Sequence, residues 1–254
     1  MIRRLVAAAA LAALPFLSGP ALAQAEDVQL LDGHFTFNGP FGTIDKAAAQ
    51  RGLQIYKEVC SNCHGLYELS YRNIKDLGYT DDEVKAFAAD NKVTEISDDT
   101  GKLAKRDARP SDKFVRPFAN EIIARLANNG ALPPDLGLMA KARQNGPNYI
   151  YSLMQGFSDP PPDVKLGENM YYNKYFKGHQ IAMPPPLTDG AVTFADGAPN
   201  KLADEAYDIA TFLEWAAEPE QDQRKEIGWR AVIYLALTTV VLYFVKRKIW
   251  ADVH

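Results

Sequence analysis

Both cysteines of this 254-residue chain fall within five residues, Cys60-Ser61-Asn62-Cys63-His64, with a histidine directly behind the second thiol. Two thiols at this spacing can each add to one vinyl group of a haem, and the imidazole that follows then lies under the porphyrin, aimed at iron. The chemistry is covalent attachment of haem c. A thioredoxin-like dithiol shares the C-x-x-C spacing but wants a βαβ setting and has no use for His64. A structural zinc site normally needs four ligands, and the chain has no second cysteine pair.

His64 supplies one axial ligand; the opposite face of the iron takes another or stays open. The candidates are Met139, Met154, Met170, Met183, His34, His179 and His254. Met183 stands in Ile181-Ala182-Met183-Pro184-Pro185-Pro186-Leu187, where three prolines fix φ and hold an extended loop stiff enough to present a thioether. His179, four residues earlier, competes with it. Met139 and Met154 lie in or beside helical apolar stretches, and Met170 sits among Tyr171, Tyr172, Tyr175 and Phe176; these positions suit core packing. His34, outside any recognisable helix, and His254, in the tail, read as solvated or hydrogen-bonded side chains. A Met/His ligand pair would raise the haem potential.

The elements that must position these residues are mainly helical. Asp45 can cap a helix over 46–60, with Ala49, Leu53, Tyr56 and Val59 on one apolar face, so the haem motif arrives at its C-terminal end. Further helices are expected over 81–90, where acids crowd the first turn, and over 117–129, with Ile122, Ile123 and Leu126 apolar and Gly130 as a stop. Short and long helices follow over 148–154 and 201–217. The polar stretch 91–113 reads as surface loop, and Asp159-Pro160-Pro161-Pro162 enforces another. Few segments alternate, so the fold class is mainly α with long loops.

The two ends indicate location. Arg3 and Arg4, an apolar run over 5–17, a Gly19-Pro20 break and Ala21-Leu22-Ala23 form an export signal cleaved after residue 23. The uninterrupted apolar run 231–245 is flanked by Trp229 and Trp250 and followed by Lys246-Arg247-Lys248, a stop-transfer pattern long enough to cross a bilayer of roughly 30 Å. The expected organisation is a signal over 1–23, a periplasmic haem domain over 24–227, a transmembrane anchor over 228–246 and a cytoplasmic tail over 247–254. The segment 24–227 carries 22 of the 28 bases and 31 of the 32 acids, a net of −9. That sign repels nucleic acid and would steer a basic partner.

Residues 51–64 (RGLQIYKEVCSNCH), residues 127–136 (ANNGALPPDL), the Met183-Pro184-Pro185 loop and the single C-terminal anchor together resemble cytochrome c1, the haem c subunit of the quinol–cytochrome c oxidoreductase (cytochrome bc1) complex, in its bacterial form. The resemblance covers the chain beyond the signal. It implies a class I cytochrome c-like core with long loop insertions, one haem c bound through Cys60 and Cys63, and His64 with Met183 as axial ligands. It further implies that Asn128, Ala131, Pro133 and Pro134 border the haem, and that Arg143 and Tyr149 reach its propionates. Spacing alone leaves Arg143 a solvated base. Some bacterial members carry an extra cysteine pair that closes a loop before the Met ligand; this chain lacks it.

The implied role is one-electron relay from the Rieske iron–sulfur protein through the haem to a soluble or anchored cytochrome c. Cytochrome b and membrane lipid would be the neighbours, in a bacterial inner membrane. No bond-making residue is required in this subunit of ubiquinol–cytochrome c reductase. The rival reading is a free-standing membrane-anchored c-type carrier. A haem peroxidase would need an open or displaceable sixth position and usually a second haem site, and only one motif is present.

Overall fold

The structure, a computed structural model, describes residues 28–97 and 101–252. The export signal expected over 1–23, the Asp98-Asp99 pair and His254 lie outside these residues. Two helices form the frame: α1 (Lys46–Glu58) packs against α6 (Leu202–Ala217), and α5 (Gly146–Gln155) packs on α6 from another side. The Asp45 carboxylate accepts from the amides of Ala47 and Ala48 and starts α1 as expected, satisfying two of the otherwise orphaned N–H groups.

Gly52 lets the two helices meet. A Cβ there would lie 2.2 Å from the Asp208 carbonyl oxygen and 2.5 Å from Phe212 Cβ, so only a glycine permits this crossing. The adjacent Arg51 grips the same Asp208 through two hydrogen bonds of 2.6 and 2.8 Å. The fork of a guanidinium matches a carboxylate, which keeps the buried acid paired. The core extends from this crossing through Leu53, Ile55, Tyr56, Ile209, Phe212 and Trp215.

The smaller elements decorate that frame. A 3-10 helix over Tyr71–Leu77 precedes α2 (Asp81–Ala89), whose Thr80 and Glu83 form a reciprocal capping box. The stretch expected to be loop contains an antiparallel hairpin, β1 (Lys92–Ile96) with β2 (Leu103–Asp107). Both of its faces are largely exposed, so it carries no apolar alternation to announce it. Helix α3 (Glu121–Ala127) starts later than expected, at the Asn120 cap. Its Ile122, Ile123 and Leu126 point to solvent, and Ala124 is the residue it buries.

The short α4 (Met139–Ala142) leads to α5, and a two-residue ladder joins β3 (Tyr171–Tyr172) to β4 (Gln180–Ile181) just before Met183. The last element, α7 (Gln221–Ile249), is long and apolar enough to cross a membrane, and none of its most apolar stretch is buried against the rest of the chain. It is longer at both ends than the anchor expected over 228–246.

The candidate haem site

Helix α1 ends at Val59, and the chain tightens into a 3-10 turn over Cys60–Asn62. Side chains take the helix's last free carbonyls: Ser61 Oγ donates to Lys57 and Asn62 Nδ2 to Val59. The amides of Cys63 and His64 both donate to the Cys60 carbonyl, at 3.1 and 2.9 Å. Both thiols and the imidazole therefore project from a single turn held at the end of α1.

Two contacts fix His64. Its Nδ1 lies 2.7 Å from the Pro134 carbonyl oxygen, so the proton sits on Nδ1 and the Nε2 lone pair is left for a metal. The Tyr56 hydroxyl donates to the His64 carbonyl at 3.0 Å, tying the backbone to α1 one face inward. Burial pulls the His64 pKa below its ordinary value, against the opposing pull of the Pro134 contact and Asp135. A neutral imidazole is the ligating form.

The segment 127–136 wraps this turn. Asn128 closes α3 by donating Nδ2 to the Ala124 carbonyl, and Asn129 and Gly130 follow with positive φ of 52° and 87°. Those two left-handed residues reverse the chain and send Ala131 to Pro134 back past His64. The Leu136 amide donates to Gly65 at 2.9 Å, and Asp135 accepts from the amides of Tyr67 and Gly137. A Cβ on Gly65 would stand 2.9 Å from the Asp135 carboxylate, which would have to shift to make room for it.

Arg143, which follows α4, and Tyr149 of α5 are brought near one another: the guanidinium donates to the Ala142 carbonyl at 3.1 Å, and its charge acts on the half-buried phenol. Met183 is half-buried in the extended segment between β4 and the buried Leu187. The rival candidates are otherwise engaged. The His179 ring stacks on Tyr172 with centroids 5.7 Å apart, in a turn where its own φ is 58°. Met154 and Met170 line a cleft of about 880 Å³ whose walls include none of Cys60, Cys63 or His64. Met139 packs against the core, and His34 is exposed beside Asp32.

The residues fit a covalent haem. Among the described residues no group of three or more His, Cys, Asp or Glu could hold a bare metal ion. Burial and the neighbouring Cys63 push the Cys60 thiol up to about 12, the opposite of the lowered thiol that a dithiol oxidoreductase uses. Sequence reasoning missed Tyr56 as a support of His64, reading it only as part of an apolar face. It missed Gly65 and Asp135 as the clasp between the two segments. Their only signal is adjacency to the two motifs.

Comparison with known proteins agrees with this geometry. The model of the Cytochrome C1 family matches residues 35–253. Cytochrome c1 of Rhodospirillum rubrum is 40% identical, the match covering 99% of this chain and 97% of that protein. The cytochrome c1 haem protein of Saccharomyces cerevisiae mitochondria is 42% identical over 86% of this chain and 71% of its own length. The cytochrome b/c1 of Bradyrhizobium diazoefficiens is 43% identical over 87% of this chain, which spans only 35% of that larger protein. With its attachment turn, its tethered histidine and a family match over most of its length, the chain belongs to the cytochrome c1 family.

Proposed function

We propose that this chain is the haem c subunit of a quinol–cytochrome c oxidoreductase, relaying single electrons from a Rieske iron–sulfur protein to a cytochrome c. The observation that carries the reading is the His64 imidazole, tied through Nδ1 to Pro134 on the same turn as both thiols. When bound, haem c supplies the one-electron chemistry. The protein supplies attachment, ligands, shielding and a docking surface.

In this reading Cys60 and Cys63 hold the porphyrin, while His64 Nε2 and the Met183 thioether ligate iron. Engagement of His179 with Tyr172 supports Met183 as the second ligand. Asn128, Ala131, Pro133 and Pro134 would border the haem. The neighbouring Arg143 and Tyr149 offer charged and neutral donors to the propionates, which a guanidinium and a phenol suit well. No side chain makes or breaks a bond in substrate, so the chain acts as the redox subunit of a reductase.

Helix α7 anchors the haem domain on the periplasmic side of a bacterial inner membrane, with Lys246, Arg247 and Lys248 at the cytoplasmic end. Cytochrome b is the expected neighbour of that helix. Purification in mild detergent tests the assignment against a free-standing carrier: co-migration with a di-haem cytochrome b and a Rieske protein is expected, and a lone haem protein would overturn it. Because the domain is acidic, its reduction of a basic cytochrome c should slow as ionic strength rises.

A further inference from the structure

The loop 36–43 is constructed to hold one apolar side chain away from the protein. The Thr36 hydroxyl donates to the Thr43 carbonyl at 2.9 Å and closes the neck. Lys225 of α7 fills that neck, its Nζ donating to the carbonyls of Gly42, at 3.0 Å, and Phe37. The Ile44 amide donates to Asp222, one turn earlier on α7. Phe35 and Phe37 are buried at the base, Gly39 (φ 76°) admits the left-handed turn at the tip and Pro40 stiffens it. At that tip Phe41 is 76% exposed.

A lone exposed aromatic on a soluble surface needs no explanation. This one is fastened to the root of α7. Asp222, Lys225 and Trp229 follow one another at spacings of three and four, so they share a face of the helix. Trp229 lies roughly 6 Å further along the axis than Lys225, about one turn beyond the neck of the loop. Between residues 33 and 44 there is no Asp, Glu, Lys or Arg, although the domain as a whole is acidic. An uncharged tip loses little on leaving water, and an aromatic ring suits the headgroup boundary, where Trp and Tyr gather.

We infer that loop 36–43 is a second membrane contact, seating Phe41 in the interfacial layer of the phospholipid bilayer beside Trp229. The inference rests on the proposal that α7 spans the membrane. With the pinned neck, the loop and the helix meet the bilayer as one rigid piece, which would restrict tilting of the haem domain about its single anchor.

Photocrosslinking in native membranes tests it. The full-length holoprotein would carry p-benzoylphenylalanine in place of Phe41 or, separately, in place of Val240 or Leu242, which lie on opposite faces of α7. Irradiation followed by mass spectrometry should find a phospholipid-mass adduct at position 41 and at one or both α7 positions. Lipid adducts on α7 with only a protein adduct, or none, at position 41 would overturn the inference and leave the anchor standing. Absence of lipid adducts at both α7 positions would overturn the anchor itself, and the inference with it.

Discussion

At the scale of single residues, the account turns on how His64 is held. Its Nδ1 is committed to Pro134 and its carbonyl to Tyr56, so ring and backbone are both fixed before iron is considered. Tyr56→Phe keeps the packing of a buried ring but leaves the His64 carbonyl without its donor. We expect a loss of about 1 kcal/mol in thermal or denaturant unfolding of the holoprotein, with the haem still covalently attached. The attachment residues could be read from the sequence because their chemistry depends on spacing alone. Tyr56 could not: a tyrosine at a helical core position carries the same pattern whether or not its hydroxyl finds a partner.

At the scale of elements, the α1–α6 crossing sets where the attachment turn sits. Gly52→Ala would press a methyl against the Asp208 carbonyl and Phe212, and separating the helices should destabilise the fold by about 1–3 kcal/mol, measurable as a lower midpoint in denaturant. Glu205 at the start of α6 predicts a pH effect. It is fully buried, one oxygen accepting from the Val192 amide, and burial raises its pKa above the ordinary 4.5. The folded form therefore favours the protonated acid, and stability declines as pH rises from about 4.5 until the raised pKa is passed. Glu205→Gln keeps the acceptor oxygen and cannot ionise, so its unfolding free energy should lose this slope and exceed the parent's at neutral pH.

Helix α1 was legible because it buries one face and starts at the Asp45 cap, and α6 because its apolar run is long enough to be buried all round. Hairpin β1–β2 was not, since Val93 alone of its apolar residues packs on the core while Ile96 and Leu103 stay exposed. In α3 the isoleucines and Leu126 imitate a buried stripe while facing solvent, and the small Ala124 makes the contact.

At the scale of the whole molecule, one acidic haem domain hangs from one apolar helix. The contacts between them stop early in α7, at Gln221, Asp222 and Lys225. A chain ended after Gly228 retains all of these and lacks the apolar run. It should appear in the soluble fraction with an unchanged haem spectrum, whereas the full chain sediments with membranes; a truncated protein without haem would mean that the anchor supports the fold.

The central claim, a haem c bound through Cys60 and Cys63 and ligated by His64 and Met183, is tested most directly by optical spectroscopy of the purified full-length protein. The account predicts haem that stays with the chain after denaturation and, in the native oxidised state, a near-infrared sulfur-to-iron charge-transfer band. Haem that is released on denaturation, or a bis-histidine spectrum lacking that band, would contradict it.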